Sequence, residues 1–320
     1  MKRRISLLFT VLVTMGFTAF SHAENYPSRP ITIEAPYSPG ASVDIMARMI
    51  AEYLTQKFHQ PVIVENHAGV GGQLGLSRVA RAKPDGYTLG VGQITNLALS
   101  TSVMKENLYD PQKDFVPVAQ IAENYQAIVS KADGPLKTIT DVIEWAKTQP
   151  LGVKLGSPSQ GGLPHMTVAL IARQAGFTVD NIAYKDTGPL ITDVASGQLD
   201  LGVSSYTSLA PAIESGRIHL VGISSKDEHL PELPAIGDSL PGYSVLGWNG
   251  IVAPAGTDPK IVVTLNTAIN EFLAKPDVQA KLRTLGLVPV SKSPQAFGEV
   301  MKRDTERFAK LVKDIGYEPR

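Results

Sequence analysis

Apolar and polar positions along this chain switch repeatedly between two periods, and the switches mark its elements. Ile31 to Ala35 alternates as a short strand. Val43, Met46, Met49, Ile50, Tyr53 and Leu54 then recur at helical spacing, so one face of that helix is meant for a core. Pro61 to Val64 reads as a strand, Leu74 to Ala82 as a helix stopped by Lys83-Pro84-Asp85-Gly86, and Tyr87 to Val91 as the next strand. Asp114 to Ser130 is one long extended apolar stretch, and Thr138 to Lys147 a helix closed by Pro150. Val153 to Gly156 is a strand that leads through a loop into a helix ending at Ala175. A strand closing at Tyr184-Lys185-Asp186 precedes a helix with Pro189 in its first turn and Gly197 at its stop. Strands follow at Asp200 to Ser204, Ile218 to Ser224 and Ile251 to Ala253, with a Pro-rich loop over Asp227 to Gly242. The tail is helical, with starts at Pro276 and Ser293-Pro294 and stops at Gly286 and Gly316. The alternation argues α/β architecture with mostly parallel sheets.

Two junctions share one design: a strand, a loop of small residues, and a helix N-terminus. The first is Pro36-Tyr37-Ser38-Pro39-Gly40-Ala41-Ser42, with Asp44 in the helix's first turn; the second is Ser157-Pro158-Ser159-Gln160-Gly161-Gly162, with His165 just inside the helix. Neither loop holds Lys or Arg, so an anion there would be held by main-chain donors and hydroxyls at the positive end of the helix dipole. Ligands of open α/β sheets sit outside the carboxyl ends of strands, which aims the loops Tyr37–Ser42, Asn66–Gly72 and Gln93–Asn96 at one side. Two such junctions about 120 residues apart predict two domains closing on one ligand. Asp44 reads either as a dipole-stabilising carboxylate or as the partner of a ligand ammonium. His165 reads as a ligand donor or as the residue that orients its loop. Tyr206 and Trp248 read as core or as cleft wall.

Charge, cysteine content and motifs narrow the chemistry. Lys plus Arg and Asp plus Glu number 30 each among 320 residues, and no basic stripe suggests nucleic acid. Lys2-Arg3-Arg4, the apolar run Ile5–Phe20 and Ser21-His22-Ala23 form a signal peptide; cleavage after Ala23 removes three cations and leaves 27 basic against 30 acidic residues. With no Cys, disulfides, thiolate metal sites and an N-terminal lipid anchor are excluded. An exported protein of this kind fits a bacterial periplasm. The six His residues lack metal spacing, no G-x-S-x-G elbow is present, and neither Gly69-Val70-Gly71 nor Gly90-Val91-Gly92 completes a dinucleotide fingerprint. No cofactor, metal or catalytic constellation is implied.

Many motifs then fall in a familiar order. They include Tyr26-Pro27-Ser28-Arg29-Pro30-Ile31, Pro36–Asp44 with Ala47-Arg48, Val64-Glu65-Asn66 with Gly71-Gly72, and Pro84-Asp85-Gly86-Tyr87-Thr88-Leu89. Tyr109-Asp110-Pro111, Gly197-Gln198-Leu199-Asp200, Trp248 with Gly250, and Ala253-Pro254-Ala255-Gly256-Thr257 continue the series. Across the whole mature chain these resemble the Bug-type periplasmic substrate-binding proteins of tripartite tricarboxylate transporters. The resemblance implies a two-domain periplasmic binding protein of type II, a Venus flytrap with a ligand cleft between the domains. The expected division is 1–23 signal peptide, 24–121 with 223–320 as domain I, and 122–222 as domain II. It implies a receptor, not an enzyme, that delivers a small mono- or dicarboxylate, amino-acid-like or aromatic in some cases, to two membrane subunits of a transporter and works as a monomer. Expected ligand-binding residues are Tyr37, Ser38, Gly40, Ala41, Ser42, Ser157, Ser159, Gln160, Gly161 and Gly162, and further out Asp44, His165, Tyr184, Asp186, Ser205 and Trp248. Ser159 and Gly162 depart from the family's Ser-x-Gly-x-Gly-Ser-x-x-His, and Asp186 stands where the family has Gly after Tyr-Lys. Asp186 therefore either selects a ligand ammonium or faces solvent. A ligand-loaded sensor for a membrane kinase would need the same flytrap; a periplasmic hydrolase would need a nucleophile–base pair that no motif here supplies.

Overall fold

A computed structural model describes residues 26–158, 160–226 and 230–319. The segment read above as a signal peptide and Ser159 lie outside the described residues. The first unit winds β1 (Ile31–Ala35), α1 (Ser42–Phe58), β2 (Val62–Asn66), α2 (Gln73–Ala80) and β3 (Thr88–Gln93). Both β2 and β3 pair in parallel with β1, so their carboxyl-end loops emerge together. A π-helical turn (Thr95–Leu99) and α3 (Ser100–Val103) follow β3. The helical start comes sooner than the sequence predicts: Gln93 is still in the strand, and Asn96 already lies inside the turn.

The centre of the fold is β4 (Phe115–Lys131), a strand of 17 residues. From Phe115 to Tyr125 it pairs with β9 (Leu246–Pro254); from Gln126 onward it pairs with β7 (Leu201–Ser205) and β8 (Ile218–Ile223). One strand thus serves two sheets and ties them. The second unit adds α4 (Ile139–Ala146), β5 (Val153–Ser157), α5 (Leu163–Ala175), β6 (Val179–Ala183), α6 (Thr187–Ser196) and α7 (Tyr206–Glu214). The chain returns through α8 (Ile236–Ser239), β9, α9 (Pro259–Leu273), α10 (Pro276–Thr284), β10 (Val288–Pro289) and α11 (Pro294–Asp314). Strand order is β2-β1-β3-β9-β4-β7-β5-β6, with β8 and β10 also on β4.

The sheets are mixed, which corrects the expectation of mostly parallel pairing. The outer βαβ units are parallel, as short strands alternating with helices dictate. Every described pairing of β4 and β9 is antiparallel. The reason is topological: β9 comes back from the second unit to the first and must run against β4, which left it. Each unit has its own core. Ile31, Ile33, Met46, Ile50 and Leu54 pack with Leu265 and Ile269 of α9; Leu190, Val194, Leu209 and Ile223 pack around the far end of β4. A third cluster holds Trp248, Phe297, Phe308, Leu311, Met166 and Ile171, so α11 packs across to α5. Among the described residues no helix is long and apolar enough to cross a membrane.

Candidate functional site

The loop after β1 is held from below by one carboxylate. Asp44, only 2% exposed, accepts from the Gly40 N–H at 2.9 Å, from Arg48 Nε at 3.1 Å and from Asn66 Nδ2 at 2.8 Å; Arg48 Nη2 closes the ion pair at 2.9 Å. Burial pushes its carboxyl up, but these donors outweigh it and hold it below the usual carboxylate range. All of Asp44's described contacts are to this chain, and the Gly40 N–H is committed to it. Tyr37 is fixed too: its carbonyl accepts from Asn66 Nδ2 and its hydroxyl oxygen from Asn96 Nδ2, at 3.0 and 3.1 Å. Burial raises its phenol pKa. Gly72 has φ +90°, and a Cβ there would sit 2.6 Å from Asn96 and 3.1 Å from the Tyr37 hydroxyl, so only glycine lets the three loops meet. The carboxyl-end loops of β1, β2 and β3 therefore converge.

Asp44→Ala is expected to lower unfolding stability at neutral pH by about 2 kcal/mol. Charged hydrogen bonds contribute about 1.5–3 kcal/mol each, and Arg48, half exposed, rehydrates when its partner is lost. Because the folded carboxyl is depressed, its contribution is present above the unfolded value of 3.8 and is lost as pH falls through the folded one. Urea unfolding at pH 7 and pH 3 checks both points: the variant should lose most at pH 7 and converge on wild type at the acid end.

The second loop is organised by His165. The Gly161 N–H donates to His165 Nδ1 at 3.1 Å, which places the ring proton on Nε2. Burial lowers the imidazole pKa to about 4, so the ring is neutral at physiological pH. Gly161, at φ +76°, lies against Tyr317 from the C-terminal end. Ser157 is buried, donates to Asn181 Oδ1 at 2.8 Å, and its carbonyl accepts from the Tyr184 N–H at 2.8 Å. Gly162 is the N-cap of α5. Tyr184 donates its hydroxyl to Asp193 at 2.6 Å, and its pKa is pushed up to about 12 by burial and then by that carboxylate. Asp186 is exposed and caps α6, accepting from the Thr187 N–H at 2.7 Å.

Two hollows of about 230 and 300 Å³ meet at Asn124 and Ser205, between the two units. The smaller is walled by Gln93, Thr95, Gln126, Pro164 and Trp248; the larger by Ser42, Thr207, Ser208 and the segment Leu285–Leu287. No ionisable side chain lines either one. Ser42, Ser205, Trp248 and the start of α5 are thus brought together. Trp248 presents one edge here; its body is buried against Phe297, and its Nε1 donates to Asp304 at 2.8 Å. Gln160 and His165 border a different cavity of about 620 Å³ with Arg173, Asn181 and Tyr317, which shares no lining residue with the cleft. Tyr184 and Asp186 line neither.

Three helices, α1, α5 and α7, begin at this cleft, and none has a side-chain cap: their N-caps are Ala41, Gly162 and Ser205. Elsewhere α4, α6, α9 and α11 are capped by Thr138, Asp186, Asp258 and Ser293, while α2, α3, α8 and α10 also begin without a side-chain cap. Uncapped first turns leave N–H donors and the positive dipole end facing the cleft, which suits an anion without any cation.

Asn124 and Gln126 of the cleft floor escape the sequence reading, which takes Asp114 to Ser130 as apolar. The signal was available: amides interrupting a strand buried on both faces need partners. Asn124 Oδ1 and Gln126 Oε1 are buried with no hydrogen-bond partner. An orphaned buried acceptor costs about 1–3 kcal/mol; these two line the cleft, whereas Gln120 Oε1 and Asn270 Oδ1, also unpaired among the described residues, do not.

Known proteins bear on this geometry. BugT of Bordetella pertussis is 31% identical over 99% of this chain and 98% of its own. Rpa4515 of R. palustris, solved with adipate, superposes with a TM-score of 0.76 at 29% identity, covering 92% of this chain and all of the other. MatC of Rhodopseudomonas palustris, with bound malate, gives 0.71 at 27%, covering 90% and 100%. Residues 46–317 match the model of the tripartite tricarboxylate transporter family receptor, and by that match and the shared fold this chain belongs to that family of periplasmic solute-binding proteins.

Proposed function

We propose that this protein is a periplasmic receptor that captures a small carboxylate between its two units and hands it to the two membrane subunits of a tripartite tricarboxylate-type transporter. The observation that carries the reading is the cleft itself: neutral polar walls, no charged side chain, and three uncapped helix N-termini. Such a site favours an anion through oriented N–H groups and dipoles. Relatives solved with adipate and malate support the carboxylate class.

Within this reading, Tyr37–Ser42 and Ser157–Gly162 frame the two ends of the ligand. Ser42, Ser205 and Trp248 face it, and Asp44, His165 and Tyr184 act through the loops they hold. The working units are 24–121 with 223–320, and 122–222. The chain is exported by a cleavable signal peptide and acts as a monomer without catalysis.

Isothermal titration of protein stripped of carried-over ligand tests the proposal. A panel of aliphatic dicarboxylates, aromatic carboxylates, acidic amino acids and neutral solutes should give heats only with carboxylates. The binding should be strengthened at low salt only modestly, because dipoles and not surface charges hold the anion. A neutral solute bound more tightly than every carboxylate, or turnover of an ester or phosphate, would refute it.

A further inference from the structure

The floor of the cleft says more about the ligand than its walls do. The crossing strand β4 carries Glu123-Asn124-Tyr125-Gln126 where it leaves one sheet for the other. Glu123 is engaged elsewhere, with Lys292 and Gln120. Asn124 and Gln126, two residues apart, stand on the same face and line the cleft. Gln126 is 3% exposed. Their carbonyl oxygens have no partner, whereas the nearby Gln93 Nε2, also at the cleft, donates to Asn249 Oδ1 at 3.0 Å. Among the described residues Gln120 Oε1 and Asn270 Oδ1 are also buried without a partner, but Asn124 and Gln126 alone of these acceptor residues line the cleft, where a ligand would lie.

The group that completes them has a definable chemistry. It must donate a hydrogen bond. An ammonium would meet the positive ends of α1, α5 and α7 with no carboxylate lining the cleft to pair with it. The acids beside the ligand loops and the floor are committed elsewhere: Asp44 to Gly40, Arg48 and Asn66, Asp186 to its helix, and Glu123 to Lys292 and Gln120. A hydroxyl carries no charge, donates to an amide oxygen and accepts from an amide nitrogen. We propose that Asn124 and Gln126 are specificity-determining residues that bind a hydroxyl group of the ligand, so that the cleft selects hydroxy-carboxylates over unsubstituted and amino-substituted carboxylates of the same length. This rests on the carboxylate-receptor reading above and narrows it.

Titration of the full receptor with matched sets tests it: succinate, malate and aspartate; glutarate, 2-hydroxyglutarate and glutamate; adipate and 2-hydroxyadipate. Wild type should bind the hydroxylated member of the preferred length about tenfold or more tightly than the plain one, with the amino acid weakest. A buried acceptor left unpaired by the plain analogue gives discrimination of that order. Gln126→Met and Asn124→Leu should bring the hydroxy-to-plain ratio close to one. Gln126→Glu, which places a carboxylate at the same spot, should shift preference toward the amino-substituted member, and it reports even if the apolar variants fold poorly. A wild-type ratio near one, or a ratio unchanged in folded Gln126→Met, overturns the inference while leaving the receptor reading intact. No heat with any member overturns the inference, and the receptor reading falls with it only if the wider carboxylate panel is silent too.

Discussion

Gly161→Val is expected to weaken carboxylate binding by about two to three orders of magnitude, with a smaller loss in folding stability. The residue sits at φ +76°, where a β-branched side chain is a genuine outlier costing about 1–2 kcal/mol. A Cβ at this position would also lie 2.5 Å from the Tyr317 hydroxyl and 3.1 Å from its ring, and such overpacking adds about 1–3 kcal/mol. The loop is exposed on one side, so it relaxes by moving instead of unfolding the domain. Movement breaks the Gly161 N–H to His165 bond and turns the start of α5 away from the cleft. Binding therefore carries most of the effect. Gly161→Ala should lose less, and the double variant Gly161→Ala with Tyr317→Gly should recover part of it, since the collision is gone and only the backbone term remains. Titration of all three against wild type decides this. A variant that melts earlier yet binds normally would detach the second loop from the ligand.

Lowering the pH from 7 to 4 should remove about 3 kcal/mol of folding stability through one residue, His165. Its imidazole titrates at about 4 in the fold and near 6.5 in the unfolded chain, because burial disfavours the charged ring. Between those values the unfolded chain binds a proton that the folded protein does not. Stability therefore falls as pH drops through that window and is flat on either side of it, at about 1.4 kcal/mol per pH step. Protonation would also put a hydrogen on Nδ1, facing the Gly161 N–H that now donates to it. His165→Asn keeps an acceptor at nearly the Nδ1 position and does not titrate, so its stability should change far less between pH 7 and pH 4.5. Asp44 does not blur the test, because its contribution declines only below about 3.8. Urea unfolding curves of both proteins across that range check the prediction; parallel pH profiles would place the titration on another group.

The two proposed ligand loops show how far local pattern reaches. Strand, small residues and amphipathic helix are all written in consecutive residues, so the positions of Tyr37–Ser42 and Gly161–Gly162 at helix starts were legible. So were the boundaries of α5 and α6, where Pro and Gly impose fixed backbone geometry. The cleft floor was not. Asn124 and Gln126 sit in an apolar run, and their significance arises only when β7 and β9 flank β4 and leave two carbonyl oxygens unpaired. The assignment of acids shows the same limit. Asp44 and Asp186 look alike as carboxylates near helix starts; one is enclosed by donors from two loops and the other caps a single helix.

The sequence by itself determined the α/β alternation, the family, the absence of thiol chemistry and the use of cation-free loops at helix N-termini, because each depends on residue type and short-range spacing. Only the tertiary structure decided which pairings are antiparallel, that α1, α5 and α7 open on one uncharged cleft, that His165 and Asp44 face their own loops, and that two amides of β4 at that cleft have unpaired carbonyl oxygens. Apart from the bonds of His165 and Asp44 to Gly161 and Gly40, which span four residues, those outcomes depend on contacts between residues tens to more than a hundred positions apart, and hydrogen-bond satisfaction is a property of the assembled surroundings, not of the residue that seeks it.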